Sequence, residues 1–563
     1  MSKRSRATDP PAPILINMSI LVFMFREIWL SYGKNYYDDD KPLQLFLRYI
    51  GFEGDEDLSH LGQYVSTKMM EVAYVVDHYA RPVLKRWSVR GREINYVQVA
   101  PEHFEAVRQL LKYGVVSKPL LNQDLLYHFV SGYVISDAGF FCTITVTEQT
   151  AYGLAKYGDE EAKAYYLPNF FKSESPWLGA TFYTEVQAGS DLGSTEAVAY
   201  QEGERRWRLR GIKYFTSNVG LADAAIITAK PHPPRPGAKG VAAFFAPAYR
   251  PDGEPNWRIL RLKDKLGTVT VPTGEVELVD TVAHLLGTVD TGIYIALEIL
   301  TIARIDNSTA GLGLARKALW EAYLYGQERR AFGKRLVEHP LYIRDLVEME
   351  AKLEATLLLT LKAAKLFSDA SRERPPYTPS YHYARLLTHI VKNMAAWVSI
   401  DVTRYSMELL GGIGFLEEFP LAKLHRDALV TSIWEGTSNI QSLDMAEAFF
   451  RKDAGRAYVE EVSTEISKIG GQEARQKLSA ALAQARDEVA YALNDGVEFH
   501  SKRLLSTLGT LYAAALFQRW AEDLGEEWAQ AMGKIYIQTE LLKKDIDQAT
   551  ARKAAEGLSW MAL

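Results

Sequence analysis

Three long stretches with helical hydrophobic periodicity dominate the second half of the chain. They run over residues 293–330, 342–370 and 381–410, with few breaks inside them. Helices of this length that are apolar on one face predict a helical bundle. The same period is present from about residue 38 to 176 and again after residue 446.

The hydrophobic period changes to that of strands between residues 178 and 290. Residues 206–210 alternate between large apolar and charged side chains, while 224–229 and 240–246 are apolar runs of strand length. A β domain inside a mainly helical protein is therefore predicted. The predicted division is an N-terminal extension (1–35), a helical domain (36–177), a middle β domain (178–290), a helical bundle (291–445) and an additional helical domain (446–563).

Bulk properties narrow the class of protein. A chain of 563 residues is too long for one core, and its net charge of −5 points to no polyanionic partner. The single cysteine, Cys142, rules out an intrachain disulfide framework and a cysteine zinc site, and it fits a reducing cytoplasm. Its apolar surroundings predict a buried core thiol. The histidines are scattered, so no metal site is predicted.

The N-terminus resembles a signal-peptide core, because Lys3, Arg4 and Arg6 precede an apolar stretch over residues 13–25. That stretch is shorter than the roughly 20 residues that cross a bilayer, and no small-residue cleavage site follows it. We expect a helix or strand packed on the protein, or a start codon assigned too far upstream. Secretion is the less favoured interpretation, and no membrane partner is expected.

Five polar or glycine-rich stretches are candidate sites. In the last of them, the carboxylate Glu435 lies between Trp434 and a Gly-Thr-Ser turn, where loss of solvation would raise its pKa towards that of a general base. Taken alone, Glu435 is more simply a surface residue at a helix start, and each other stretch has an equally plain structural explanation. The five stretches are 181–193, 211–218, 327–335, 408–415 and 432–441.

Together, in this order and spacing, the stretches resemble the acyl-CoA dehydrogenase superfamily. Residues 184–191 are similar to its first signature, with Tyr183 in place of the usual aliphatic residue, and residues 408–427 match its second throughout. Residues 434–437 stand where the family has aromatic-Glu-Gly-Thr. The resemblance covers roughly residues 36–445 and is nearest to the AidB-type branch of alkylation-response flavoproteins, as the Leu262–Gly267 stretch and the extra helical domain suggest.

The resemblance implies a fold that is mainly α, with an N-terminal helical domain, a β barrel-like domain, a four-helix bundle and an extra C-terminal helical domain. It implies FAD as cofactor and α,β-dehydrogenation of an acyl-CoA thioester in fatty acid metabolism. Glu435 would take the α-proton and the flavin would accept the hydride. Electrons would pass to an electron-transfer flavoprotein or another acceptor, and the protein would be a homotetramer built as a dimer of dimers.

The resemblance also implies roles for individual residues. Arg304 would lie near the CoA moiety of the substrate, and Trp434 is bulky enough to favour short or branched acyl chains. Ala303 stands where the isovaleryl-type subfamily has a glutamate, so Glu435 has no obvious rival as base. Four residues would reach the FAD of a neighbouring subunit: Arg329, Phe332, Gly411 and Gly412. The remaining cofactor contacts would be Tyr183, Thr184, Gly189, Ser190, Phe215, Ser217, Trp434, Thr437 and Asn439.

A second interpretation is an AidB-like flavoprotein that binds or protects nucleic acid and keeps only residual dehydrogenase activity. Members of that branch are associated with DNA binding through the C-terminal tail. Here residues 447–563 carry 15 basic and 18 acidic side chains. A nucleic-acid domain is expected to carry a basic excess, so nucleic acid is not the favoured partner.

Overall fold

The computed structural model describes residues 24–563. The apolar stretch 13–25 falls almost wholly outside them, so its expected helix or strand stays a prediction. The N-terminal region is mainly helical, as predicted. Its helices are α1 (Lys41–Tyr49), α2 (Glu56–Tyr64), α3 (Met70–His78), α4 (Pro101–Lys112), α5 (Ser117–Asn122), α6 (Leu126–Ile135), α7 (Ala138–Tyr157) and α8 (Glu160–Tyr166).

A β-hairpin interrupts this helical region, and here the purely helical expectation was wrong. Strands β1 (Val83–Trp87) and β2 (Glu93–Gln98) pair antiparallel. Pro82 disfavours a helical conformation at the residue before it, and Gly91, with φ of +75°, allows the chain to reverse. Because the hairpin is only half-buried, its strands lack the apolar alternation that would have revealed them.

The middle region forms a seven-stranded sheet that closes on itself. The order is β3-β6-β4-β5-β9-β7, β8 pairs with β9, and β7 pairs back onto β6. The resulting ring confirms the barrel-like β domain, whose interior holds large aromatic side chains such as Trp207 and Phe244. The strands are β3 (Gly179–Phe182), β4 (Val198–Gln201), β5 (Arg206–Ser217), β6 (Ala224–Pro231), β7 (Ala242–Pro247), β8 (Arg258–Leu262) and β9 (Thr273–Leu285).

The predicted bundle follows, and its three long helices begin and end within a few residues of the predicted positions. Proline in the first turn starts two of them, because a missing N–H costs nothing there, and Gly411, with φ of +69°, ends the third. A minimal hairpin, β10 (Arg330–Ala331) and β11 (Lys334–Arg335), follows the first. The helices are α9 (Gly292–Glu328), α10 (Pro340–Ala370), α11 (Pro379–Leu410), α12 (Pro420–Leu429) and α13 (Ser438–Ala446).

The C-terminal segment is helical, as predicted, and it packs against the earlier helices. Phe46 of α1 lies edge-on to Trp520, with ring centroids 4.7 Å apart, and Trp320 Nε1 of α9 donates a hydrogen bond to the Met561 carbonyl (2.8 Å). None of the helices within residues 24–563 is long and apolar enough to cross a membrane. The helices of this segment are α14 (Ala454–Ser467), α15 (Gln472–Asp495), α16 (Val497–Leu524), α17 (Glu527–Tyr536) and α18 (Gln548–Ala555).

Candidate active site

Glu435 lies in the connection between α12 and α13, in a conformation that its own side chain disfavours. Its φ is +59°, and the next residue, Gly436, has a φ of +102°. A residue with a Cβ rarely adopts positive φ, so tertiary contacts must hold it there. A Cβ on Gly436 would meet Gln441 Nε2 at 2.8 Å, so glycine is required next to Glu435.

Three side chains hold this turn through its backbone carbonyls. Arg304 Nε of α9 and Gln441 Nε2 of α13 donate to the Glu435 carbonyl oxygen at 3.0 and 2.9 Å. Lys392 Nζ of α11 donates to the Gly436 carbonyl oxygen at 2.7 Å, and Gln441 also reaches it. The backbone at Glu435 is therefore fixed from three helices of the bundle.

Two of these three side chains, Arg304 and Gln441, are themselves held in place. The Arg304 guanidinium is buried and forms an ion pair with Asp444 at 3.0 Å, while His389 Nδ1 lies 3.0 Å from Gln441 Oε1. The predicted contact of Arg304 with substrate stays a prediction, since these partners already engage its guanidinium. Lys392 and His389 escaped sequence reasoning because they lie on α11, with no glycine or signature beside them.

The Glu435 carboxylate is left without a fixed partner. No side chain or backbone group among residues 24–563 makes a hydrogen bond or ion pair with it. Burial raises its pKa above the ordinary value, Arg304 and Lys392 act in the opposite direction, and Asp306 raises it further. Burial raises the pKa of the Tyr183 phenol, and the nearby charge on Glu435 raises it further. The buried Tyr183 hydroxyl has no hydrogen-bond partner within the described chain.

The predicted cofactor residues of the β domain meet at one edge of the sheet. The Tyr214 backbone N–H donates to the Thr184 carbonyl at 2.8 Å, which joins the end of β3 to the end of β5. Ser217 Oγ lies 3.2 Å from Thr273 Oγ1, and the Phe215 ring keeps 51 % of its surface exposed. Hydroxyls and an open aromatic face thus lie at the side of the sheet nearest Tyr183.

The surroundings of this edge fit a large planar cofactor with a diphosphate. Around Gly189 a Cβ would meet nothing within 4 Å, and Ser190 beside it is exposed, so backbone and hydroxyl face open space. Phe215 offers a half-exposed ring with the Lys263 ammonium 4.6 Å from its centroid, and Trp434 is only half-buried. Backbone N–H groups and hydroxyls that face open space can donate hydrogen bonds to phosphate oxygens, and exposed aromatic rings can pack against a flavin-type ring system.

A second set of predicted cofactor residues lies far from Glu435 in the same chain. Arg304 and Glu328 are 24 residues apart on one helix, a separation of about 36 Å, and Arg329 follows at its end. Phe332 is 98 % exposed, and Gly411 and Gly412, after the end of α11, border open space. Their predicted contacts with the FAD of a neighbouring subunit stay predictions.

Two predicted residues lie at the start of α13. Thr437 occupies the N-cap position, and its side chain makes no capping hydrogen bond. Asn439 is exposed on the first turn. Their predicted cofactor contacts stay predictions.

One group of potential metal ligands occurs among residues 24–563, formed by Asp77, His78 and Glu417. Arg426 pairs with both carboxylates of that group. Since a guanidinium already neutralises these ligands, the group supports no metal site.

Comparisons with known proteins agree with this geometry. Residues 290–450 and 180–281 match the family models for the acyl-CoA dehydrogenase C-terminal and middle domains, and residues 31–173 match the adaptive response protein AidB N-terminal domain. Acyl-CoA dehydrogenase family member 11 of Caenorhabditis elegans is 26% identical over 528 residues, 87% of this chain and 84% of that protein. The short-chain specific acyl-CoA dehydrogenase of Clostridium acetobutylicum is 30% identical over 367 residues, 62% of this chain and 90% of that protein.

A solved structure shows the same fold over nearly the whole chain. Caenorhabditis elegans ACDH-11 in complex with C11-CoA superposes with a TM-score of 0.80 at 23% identity, over 93% of this chain and 94% of that one. At this identity the likeness is one of fold alone. Taken with the 30% identical relative, the three domain matches show that the chain belongs to the acyl-CoA dehydrogenase family of FAD-dependent oxidoreductases.

Proposed function

We propose that the protein dehydrogenates an acyl-CoA thioester between its α and β carbons, with Glu435 as the base. One observation carries the proposal: the Glu435 backbone is fixed by Arg304, Gln441 and Lys392 while its carboxylate stays free. A group that binds nothing in the resting protein, yet is held rigidly, is available to a substrate. Its raised pKa makes it a stronger base than an exposed glutamate.

Removal of an α-proton needs stabilisation of the negative charge that develops on the thioester oxygen. The backbone N–H of Glu435 finds no acceptor among residues 24–563, so it is free to donate to that oxygen. One such donor contributes about 3–4 kcal/mol in other enzymes. The fixed turn thus brings a donor and the proton-accepting carboxylate of the same residue to the same substrate.

Residues at the sheet edge would hold the cofactor. Thr184, Gly189 and Ser190 would contact the flavin and diphosphate, and Phe215 and Ser217 would lie against the ring. When bound, FAD supplies the acceptor for the hydride that leaves the β-carbon. The side chains of this chain bind and orient the reactants and exclude water from them.

The remaining partners follow from the same proposal. An electron-transfer flavoprotein or a comparable acceptor would reoxidise the protein. A dimer of dimers would bring Arg329 and Phe332 to the cofactor of a second subunit, and their distance from Glu435 along α9 supports this arrangement. The fully exposed ring of Phe332 is consistent with burial in such an interface.

The decisive experiment is anaerobic titration of the yellow protein with a panel of acyl-CoA thioesters. Loss of flavin absorbance with at least one thioester is expected. If no thioester of any chain length or polarity reduces the flavin, the proposed dehydrogenation is wrong.

The pH dependence of kcat/KM is expected to report the raised pKa of Glu435. The base acts deprotonated, so activity should fall on the acid side with a midpoint above about 4.3, the ordinary glutamate value. In Lys392→Met this midpoint should move to higher pH, because the lost ammonium favours the carboxylate form. The exposed Lys468→Met is the control, and an unmoved midpoint in Lys392→Met would contradict the assignment.

A second candidate, the AidB-like nucleic-acid protein, is favoured by one observation, the match of residues 31–173 to the AidB N-terminal domain. The charge balance of residues 447–563 argues against it. Salt-sensitive retention of DNA together with an unreactive flavin would favour this candidate over the dehydrogenase.

A further inference from the structure

One face of α7 retains open space deep inside the protein. Cys142, Thr145 and Val146 keep 7, 9 and 6 % of their surface exposed, whereas residues 143–144 and 147–148 keep none. Positions i, i+3 and i+4 lie on the same side of a helix, so this exposure belongs to one narrow opening.

That opening adjoins the residue before the base. Cys142 and Val146 pack with Val271 and with the half-buried Trp434. Burial raises the pKa of the Cys142 thiol to about 12, and the nearby charge on Glu435 also acts to raise it. An acyl chain with its α-carbon at Glu435 would therefore extend along Cys142 and Thr145.

Polar side chains of α9, Asp306 and Asn307, lie on one side of this opening. Together with Thr145 of α7 they form a polar wall. Thr145 Oγ1 donates to Asp306 Oδ2 and accepts from Gln149 Nε2 at 3.4 Å, so one lone pair of the hydroxyl oxygen remains as an acceptor. Asn307 Oδ1 accepts from Trp434 Nε1, whereas Asn307 Nδ2 is buried and has no acceptor within residues 24–563.

Behind this wall lies a buried cluster with one carboxyl group in excess. His128 Nε2 is 3.3 Å from Asp306 Oδ1, and His128 Nδ1 is 2.7 Å from the Val115 carbonyl. Glu148 is fully buried, and neither of its oxygens has a hydrogen-bond partner within the described chain. Burial raises the pKa of Glu148 to about 8 against the effect of His128. Unpaired buried polar groups are rare in folded proteins because they are costly, and at the wall itself the unpaired group is the Asn307 amide donor, which lacks an acceptor among the described residues.

We propose that this wall selects acyl chains that carry a hydroxyl group beyond the β-carbon, which donates to Thr145 Oγ1 and accepts from Asn307 Nδ2. Thr145 and Asn307 are the specificity-determining residues; Asp306 positions Thr145, and Trp434 positions Asn307. An alkyl chain would cover the Thr145 oxygen and the Asn307 amide without pairing either, and such mismatches are strongly discriminated. The inference rests on the proposed dehydrogenation and names its class of substrate.

The test is calorimetric titration of the FAD-loaded Glu435→Gln protein, in which thioesters bind without turnover. The ligands are acyl-CoAs of four, five and six carbons that end in a methyl, a hydroxyl or an ammonium group. At one chain length at least, the hydroxyl chain should bind about tenfold more tightly than its alkyl parent. The ammonium chain can donate but cannot accept from Asn307, so it should bind less tightly than the hydroxyl chain.

Variants assign the preference to the wall. Thr145→Val, of similar volume, should lose about tenfold in affinity for the polar chain and keep its affinity for the alkyl parent, and Thr145→Ser should behave like the unchanged protein. Alkyl chains that bind as well as polar ones at every length would overturn the inference, and so would an unchanged preference in Thr145→Val. If the polar-chain inference fails but alkyl thioesters reduce the flavin of the unaltered protein, the dehydrogenase proposal still stands. If no thioester binds, the inference and the dehydrogenase proposal are both wrong. The comparison of chains at unchanged Thr145 does not depend on the folding of a Thr145 variant.

Discussion

Replacing Glu435 with glutamine is expected to abolish reduction of the flavin by acyl-CoA while leaving FAD bound. An amide cannot take the α-proton, and loss of a positioned base costs about 10²–10⁴-fold in rate. The turn should survive, because Arg304, Gln441 and Lys392 hold its backbone carbonyls rather than its side chain. Anaerobic stopped-flow measurement of flavin bleaching would show the loss, and the visible spectrum would show the retained cofactor.

The matched control is Glu498→Gln, an exposed glutamate in the first turn of α16. It should bleach at the rate of the unaltered protein. If the Glu435→Gln protein still bleaches at that rate, the base is another residue. The fixed backbone at Glu435 would then no longer support the proposed function. A variant that lost its FAD would instead show that Glu435 supports the cofactor site.

The long helices and the barrel were predictable because each follows from hydrophobic period and from turn residues close in sequence. Helix α10 begins at the proline that precedes its apolar run, and α11 ends at Gly411 with positive φ. The hairpin at β1 and β2 was not predictable in this way, because its strands are only half-buried. Local patterns thus predict elements that bury a whole face and miss those that do not.

The candidate site could be predicted only in part. The signature around Glu435 indicated which residue to consider, but not that its φ is +59°, because nothing in a glutamate predicts a left-handed backbone. That conformation comes from Arg304 and Lys392, which lie 131 and 43 residues away in sequence. The polar wall at Thr145 and Asp306 was equally hidden, because the two residues lie 161 positions apart in the sequence and only the fold brings them together.

The lysine of the second signature is expected to act on stability rather than on chemistry. Lys423 Nζ lies 2.7 Å from Asp137 Oδ2 and 2.6 Å from Asp427 Oδ2, and all three side chains are buried. Asp137 also caps α7, and Asp427 Oδ1 accepts from the Thr268 backbone N–H at 2.6 Å. One ammonium thus joins α7, α12 and the segment between β8 and β9.

Lys423→Met should therefore lower the free energy of unfolding by about 3–5 kcal/mol, because it leaves two carboxylates buried without their cation. Chemical denaturation of the FAD-loaded protein measures the loss, with the exposed Lys502→Met, expected within about 0.5 kcal/mol of the unaltered protein, as control. A loss of similar size in both variants would contradict the role of the cluster. Because the capped start of α7 leads directly to Cys142 and Thr145, binding of the acyl chain should weaken together with stability. If stability falls but binding does not, α7 holds its place through packing alone.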